Sequence, residues 1–308
     1  MKRVVITSVG AVTPVGLDAE SMWQNVKQGK HGFAPISSFD TSRLKVKNAA
    51  EIRNWDPVAM GLNKKEARRM DRYTQFAMAA AKQLIDSAGD LSGIDPYRAG
   101  VIVGSGIGGF QSTVTEHAKF LEKGPDRVSV FLIPMMICNM AAGQIAIEYK
   151  FRGDNFAPVT ACATSAHAIG EAFRKIKDGY LDLCITGGSE GSINEFAVAG
   201  FQNMGALTES QDCDRLCIPF DKERSGFVMS EGAGLLLLEE YEHAKARGAQ
   251  ILGEIVGYGA TDDAHHITGP DPEGDGAAHA MLHAIREAGI EPGEVGYINA
   301  HGTSTPLN

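Results

Sequence analysis

The residues best placed to do chemistry stand in the run VTACATSAHAIGEAFRKIKDG, where an apolar stretch ends at Thr160 and small Ala161, Cys162 and Ala163 precede a helical pattern. The spacing predicts Thr164 as the helix cap, while Arg174, Lys175, Lys177 and Gly179 suit a helix C-terminus. A cysteine at the mouth of a helix faces unpaired backbone N–H groups and the positive end of the dipole, and both stabilise the nucleophilic thiolate. The flanking alanines leave room for a substrate to approach. The bland alternative is a small buried hydrophobe, the usual fate of a free cysteine. Cys138, Cys184, Cys213 and Cys217 fall inside strands, helices or a polar turn and lack this setting.

His301 is the second candidate, at the end of the strand-like run VGYIN, the edge of a parallel sheet at which ligands bind. Gly302, Thr303, Ser304 and Thr305 come directly after it and offer backbone N–H groups and hydroxyls to a polar ligand. A histidine satisfied within its own turn is the alternative. His167 is a poor partner for Cys162, since five steps turn a helix by roughly 140°. Asp262, Asp263, His265 and His266 lack regular ligand spacing and read as a polar loop, with no metal expected. Gly104 to Gly109 satisfies G-x-G-x-x-G, but no second strand ends in an acidic residue about 20 positions on. Gly187 to Gly191 satisfies G-x-S-x-G, and Asp262 and His301 would complete a hydrolase triad in chain order around Ser189. The run after Gly191 gives no helix directly at that elbow, so a serine hydrolase centred on Ser189 stands as the second enzymatic reading.

These candidates need elements to hold them. Short β-branched runs (VVIT, GVIV, APVT, LCIT, GLLLL, ILGEIVG, VGYIN) alternate with helical patterns at Asn63 to Ala88, Phe110 to Glu122, Ile137 to Glu148 and Gly276 to Ala288. The alternation predicts an α/β fold with a mainly parallel sheet layered between helices. The chain also echoes itself. A helix, Ala-Gly, turn, strand and glycine loop from Ala79 are echoed from Ala278 by a helix, Ala-Gly, turn, strand and His-Gly loop, and each copy comes after a similar opening, VVITSVGAV and GEIVGYGAT. That predicts a duplicated unit whose equivalent loops meet at one site.

Composition narrows the function. The 29 basic and 38 acidic residues leave a net charge of −9, against nucleic acid as the general partner. Glycine contributes 36 of 308 residues, well above the usual share of about 7%, which points to tight turns and close backbone approaches. Five cysteines form no disulfide framework and suit a reducing, cytoplasmic setting. The apolar start is interrupted by Thr7, Ser8, Gly10, Thr13 and Pro14 and reads as a buried strand rather than a signal peptide, and no apolar run is long enough to span a bilayer.

Taken together, VTACATSAH, GSGIGG, PFDKERSGFVMSEGAG and YINAHGTSTP resemble the β-ketoacyl-acyl carrier protein synthases of the thiolase fold, most nearly the elongating synthase II type, over the whole chain. The resemblance implies that Cys162 accepts an acyl chain from a carrier-protein thioester and that His301 hydrogen-bonds a malonyl thioester carbonyl. It implies that Thr303 and Thr305 contact the phosphopantetheine arm, that Ile107 and Phe201 shape the acyl pocket, that no cofactor is resident, and that the protein is a homodimer. Its carrier proteins are acidic, so Lys64, Lys65, Arg68, Arg69 and Arg72, recurring on one face of the expected helix from Asn63, are expected to dock them. Residues 1–250 then form the half carrying the nucleophile, and residues 251–308 begin a second half. Ser230 stands where the family usually has glycine. The family continues past Leu307-Asn308 with a lysine, a second histidine and a phenylalanine loop. The 308 residues alone are therefore expected to be unstable and not to condense malonyl groups, which leaves a non-condensing carrier-binding or dimer-partner subunit as a further reading.

Overall fold

In the GVIV run, Val101 and Val103 face one apolar cluster and Ile102 the other. Leu183 and Ile185 oppose Cys184 in the same way, so these strands are buried on both faces and read as continuous apolar runs. The computed structural model describes residues 1–307; Asn308, the last residue of the expected second half, lies outside them. The first half of the chain forms β1 (Val4–Val12), α1 (Ala19–Lys27), β2 (Ala34–Pro35), β3 (Asn48–Ala49), α2 (Lys64–Ala67), α3 (Arg72–Ser87), β4 (Ala99–Gly104) and α4 (Phe110–Lys123). Next come α5 (Leu132–Met136), α6 (Met140–Tyr149), β5 (Asn155–Phe156), α7 (Thr164–Lys177), β6 (Leu183–Glu190) and α8 (Glu195–Asn203). The remainder forms β7 (Gly232–Glu240), α9 (Tyr241–Ala246), β8 (Gly253–Ile255) and α10 (Asp275–Ala288).

Six strands make one sheet in the order β5-β4-β6-β7-β1-β8. β5, β4 and β6 pair in parallel, whereas β7 runs antiparallel to both β6 and β1, and β8 antiparallel to β1. Four strands thus point one way and two are reversed, in a mixed sheet with two parallel and three antiparallel pairings among the described residues. α3 and α6 cover one face through Phe76, Leu84 and Ile145. α7 covers the other through Ala172, Phe173 and Ile176.

The helix of each copy of the expected repeat is approached by a glycine in the same way. A Cβ on Gly10 would run into the carbonyl of Ala80 and the side chain of Leu84 on α3, and a Cβ on Gly259 would run into the carbonyl of Ala280 and the backbone of Ala284 on α10. Ala80 and Ala280 each stand eight residues before the Ala-Gly that closes their helix, so the two copies use the same close approach.

Three expected elements come out differently. The helix predicted from Asn63 to Ala88 is two helices: Asn63 caps α2, and Asp71, in extended conformation, caps α3 by accepting from Tyr73 N. Asp71 Oδ2 also accepts from Ser112 N at 2.7 Å, tying the break to α4. The APVT strand falls two residues earlier, at β5. VGYIN forms no strand among the described residues, because no neighbouring strand lies beside it to supply ladder hydrogen bonds.

Candidate active site

β4 and β6 run in parallel, β4 ending at Gly104 opposite Gly188 and β6 running two residues further to Glu190, and α7 starts at the same edge. Cys162 sits in the single 3₁₀ turn Ala161–Ala163 that leads into α7. Ala161 holds φ +49°, a left-handed conformation costly for a residue with a side chain. The predicted Thr164 cap is absent: Thr164 Oγ1 accepts from Thr160 N at 2.8 Å, and no side chain caps α7. The first turn carries no acidic residue and no side-chain cap, so the positive dipole end of α7 faces the turn that holds the thiol. His167, read as a poor partner for Cys162, instead bonds the Thr160 hydroxyl at 2.7 Å.

Exposure separates the cysteines. Cys162 is exposed; Cys184 is fully buried in the sheet, and burial pushes its thiol far up. Burial also raises the thiols of half-buried Cys138 and Cys217. All five are free. Cys162 lines a cavity of about 790 Å³ together with Gly104, Gly106, Ser165 and Glu190.

Ser189 lies inside β6, opposite Ala233 on β7, rather than at a strand-to-helix elbow. It is buried, and its hydroxyl has no hydrogen-bond partner among the described residues, so nothing there activates it. The hydrolase triad expected as an alternative is not formed.

His301 is exposed on an irregular segment and does not line the Cys162 cavity. The residues just after it are anchored. Ser304 is fully buried with φ +64°, accepts from Ile218 N through its hydroxyl at 3.0 Å, and accepts from Gly226 N through its carbonyl at 2.8 Å. Arg224 reaches the carbonyls of Thr305 and Pro306 at 3.0 and 2.7 Å. The PFDKERSG and HGTSTP motifs, about 80 residues apart, therefore form one knot, with the half-buried Thr303 and Thr305 hydroxyls 2.8 Å apart within it. Ile107 is exposed at the tip of the Gly104–Gly109 loop. Phe201, half-buried on α8, packs edge-on against Phe227 at 5.6 Å; neither Ile107 nor Phe201 lines the cavity.

The basic face is smaller than expected. Lys64, Lys65, Arg68 and Arg69 are exposed around α2, and Arg69 stacks over Phe131 at 4.7 Å. Arg72 opens the next helix and is spent internally. Its guanidinium grips buried Glu231 at 2.7 and 2.6 Å and the Ile52 carbonyl at 2.7 Å.

The beta-ketoacyl synthase N-terminal domain matches residues 1–244, and the C-terminal domain of the same family matches residues 252–308. The chain belongs to the beta-ketoacyl synthase family. A 3-oxoacyl-[acyl-carrier-protein] synthase 2 of Staphylococcus aureus is 48% identical to this ketosynthase over 307 residues, which are 99% of this chain and 74% of that protein. A beta-ketoacyl synthase from Burkholderia phymatum superimposes with a TM-score of 0.89 at 34% identity, covering 100% of this chain and 75% of that one. A type II polyketide ketosynthase in complex with its acyl-carrier protein superimposes with a TM-score of 0.87 at 30% identity, again over 100% of this chain and 75% of that one. The ketosynthase is thus an acyltransferase of synthase II type on the thiolase-like scaffold of these relatives. Among the described residues no helix is long and apolar enough to cross a membrane.

Sequence reasoning missed two features of this site. The strain at Ala161 carries no sequence signal, since a glycine would have been the usual marker of positive φ. Glu190 entered only as the variable position of G-x-S-x-G, although a carboxylate ending a buried strand was itself the clue.

Proposed function

We propose that this ketosynthase elongates acyl chains on acyl carrier protein by decarboxylative condensation, with Cys162 as the nucleophile. The thiolate attacks the acyl thioester carbonyl, the carrier thiol leaves with a proton, and acyl-Cys162 remains. A malonyl thioester then loses CO2, and its enolate carbon attacks the acyl carbonyl. One C–C bond forms, the C–S bond to Cys162 breaks, and a β-ketoacyl thioester two carbons longer departs. Loss of CO2 makes the sequence effectively one-way. His301 donates an N–H to the malonyl thioester oxygen, where negative charge develops. Thr303 and Thr305 contact the phosphopantetheine arm, and Ile107 and Phe201 shape the acyl pocket. The chemistry needs no resident cofactor, because the reactive arm arrives on the carrier.

One observation carries this reading: the exposed thiol of Cys162 on a strained turn at the uncapped mouth of α7. Carrier protein docks on Lys64, Lys65, Arg68 and Arg69, with Arg72 structural. A homodimer suits β5, a two-residue strand that leaves one sheet edge open, and free cysteines suit a cytoplasmic setting. The chain divides into a nucleophile-bearing half, residues 1–250, and a second half that begins at 251. A Cys162→Ala variant tests the nucleophile. It is expected to keep the wild-type circular dichroism spectrum and lose acyl transfer from acyl carrier protein; retained transfer overturns the reading.

A further inference from the structure

A half-buried carboxylate next to the nucleophile turn has no part in the steps above. Glu190 ends β6 and lines the Cys162 cavity. Its Oε2 accepts from Gly106 N at 3.0 Å, and its Oε1 accepts from Ser192 Oγ at 2.8 Å and Ser105 Oγ at 3.3 Å. Ser105 Oγ in turn accepts from Gly108 N at 3.0 Å. The glycine loop is thereby pinned on both sides of Ile107. The same loop touches the nucleophile turn: a Cβ on Gly106 would stand 3.0 Å from Glu190 Oε2 and 3.5 Å from the Ala161 carbonyl oxygen.

Every partner of Glu190 is a donor, which calls for a carboxylate. Its two oxygens accept from all of them, whereas glutamine has one acceptor oxygen and turns an NH2 group toward at least one N–H or O–H. Burial pushes the Glu190 carboxyl above the usual range, and the hydrogen bonds from Ser192 and Gly106 oppose that rise. An arrangement this costly is kept where a loop must hold one position.

We propose that Glu190 is a positioning residue that fixes the Gly104–Gly109 loop, and with it Ile107, against the Cys162 turn, and so sets how well a long acyl chain is accepted. The proposal rests on the reading of Cys162 as the acylated residue. A loosened loop leaves the thiol reachable but no longer presents a defined wall to the chain.

The test measures acylation of Cys162 in the full chain by acetyl and dodecanoyl thioesters of N-acetylcysteamine, beside alkylation by iodoacetamide. In Glu190→Gln the dodecanoyl rate is expected to fall about tenfold, the worth of one charge-assisted hydrogen bond, while the acetyl and iodoacetamide rates stay within about twofold. Equal slowing of all three reagents, or none, overturns the positioning role. No acylation of Cys162 in the wild type by either thioester overturns the nucleophile reading instead. Ser105→Ala breaks the same relay from the loop side; should Glu190→Gln fail to fold, the dodecanoyl-selective loss must appear in Ser105→Ala or the proposal falls.

Discussion

At the scale of single residues, accessibility and backbone strain single out one thiol of five. Limiting iodoacetamide near neutral pH is therefore expected to modify Cys162 before Cys138, Cys213 or Cys217, and Cys184 only after unfolding. Peptide mapping of the folded protein reads the order, and equal labelling of all five contradicts it. The sequence was informative here as far as residue type and spacing reach: small residues around Cys162 after a strand mark a helix mouth. It was silent on the φ of Ala161, because alanine carries no tendency toward positive φ, and it misread Thr164, whose hydroxyl serves Thr160 rather than the helix. Arg72 illustrates the same limit. Its charge was legible, but its partner Glu231 lies 159 residues away and only the folded sheet brings them together.

At the scale of elements, strand burial was legible because a short apolar run rich in β-branched residues, bounded by turn residues, fits a strand covered on both faces better than it fits a helix. Helix breaks were less so: Asp71 interrupts an otherwise continuous pattern, and an acidic residue in mid-pattern usually marks a solvent face rather than a cap. The repeat was legible through its glycines, and it makes a stability prediction. Gly10→Val and Gly259→Val each force a side chain into a backbone carbonyl of the facing helix and are expected to cost at least about 2 kcal/mol. Gly200→Ala, in α8 with open space around the new methyl, is expected to be neutral or to stabilise by roughly 0.5–1 kcal/mol. Chemical denaturation of the three variants checks both, and a tolerated Gly259→Val would mean that the second copy does not pack like the first.

At the scale of the whole molecule, a net charge of −9 repels an acidic partner everywhere except at a local basic face. Reversing Arg68 and Arg69 to Glu is expected to weaken carrier-protein binding about tenfold or more at low salt, with the difference shrinking toward physiological ionic strength. Reversing Arg72 instead is expected to lower stability, since it strands buried Glu231. Binding isotherms at two salt concentrations separate the two effects, and an unchanged affinity for the Arg68 and Arg69 variant contradicts docking there. The central claim is that this ketosynthase passes its acyl group through Cys162, and one measurement meets it directly. Intact-mass spectrometry after incubation with acyl carrier protein, and then peptide mapping, is expected to show one acyl adduct on the peptide holding Cys162 and none on Cys162→Ala. An unmodified protein, or an adduct on any other residue, would contradict it.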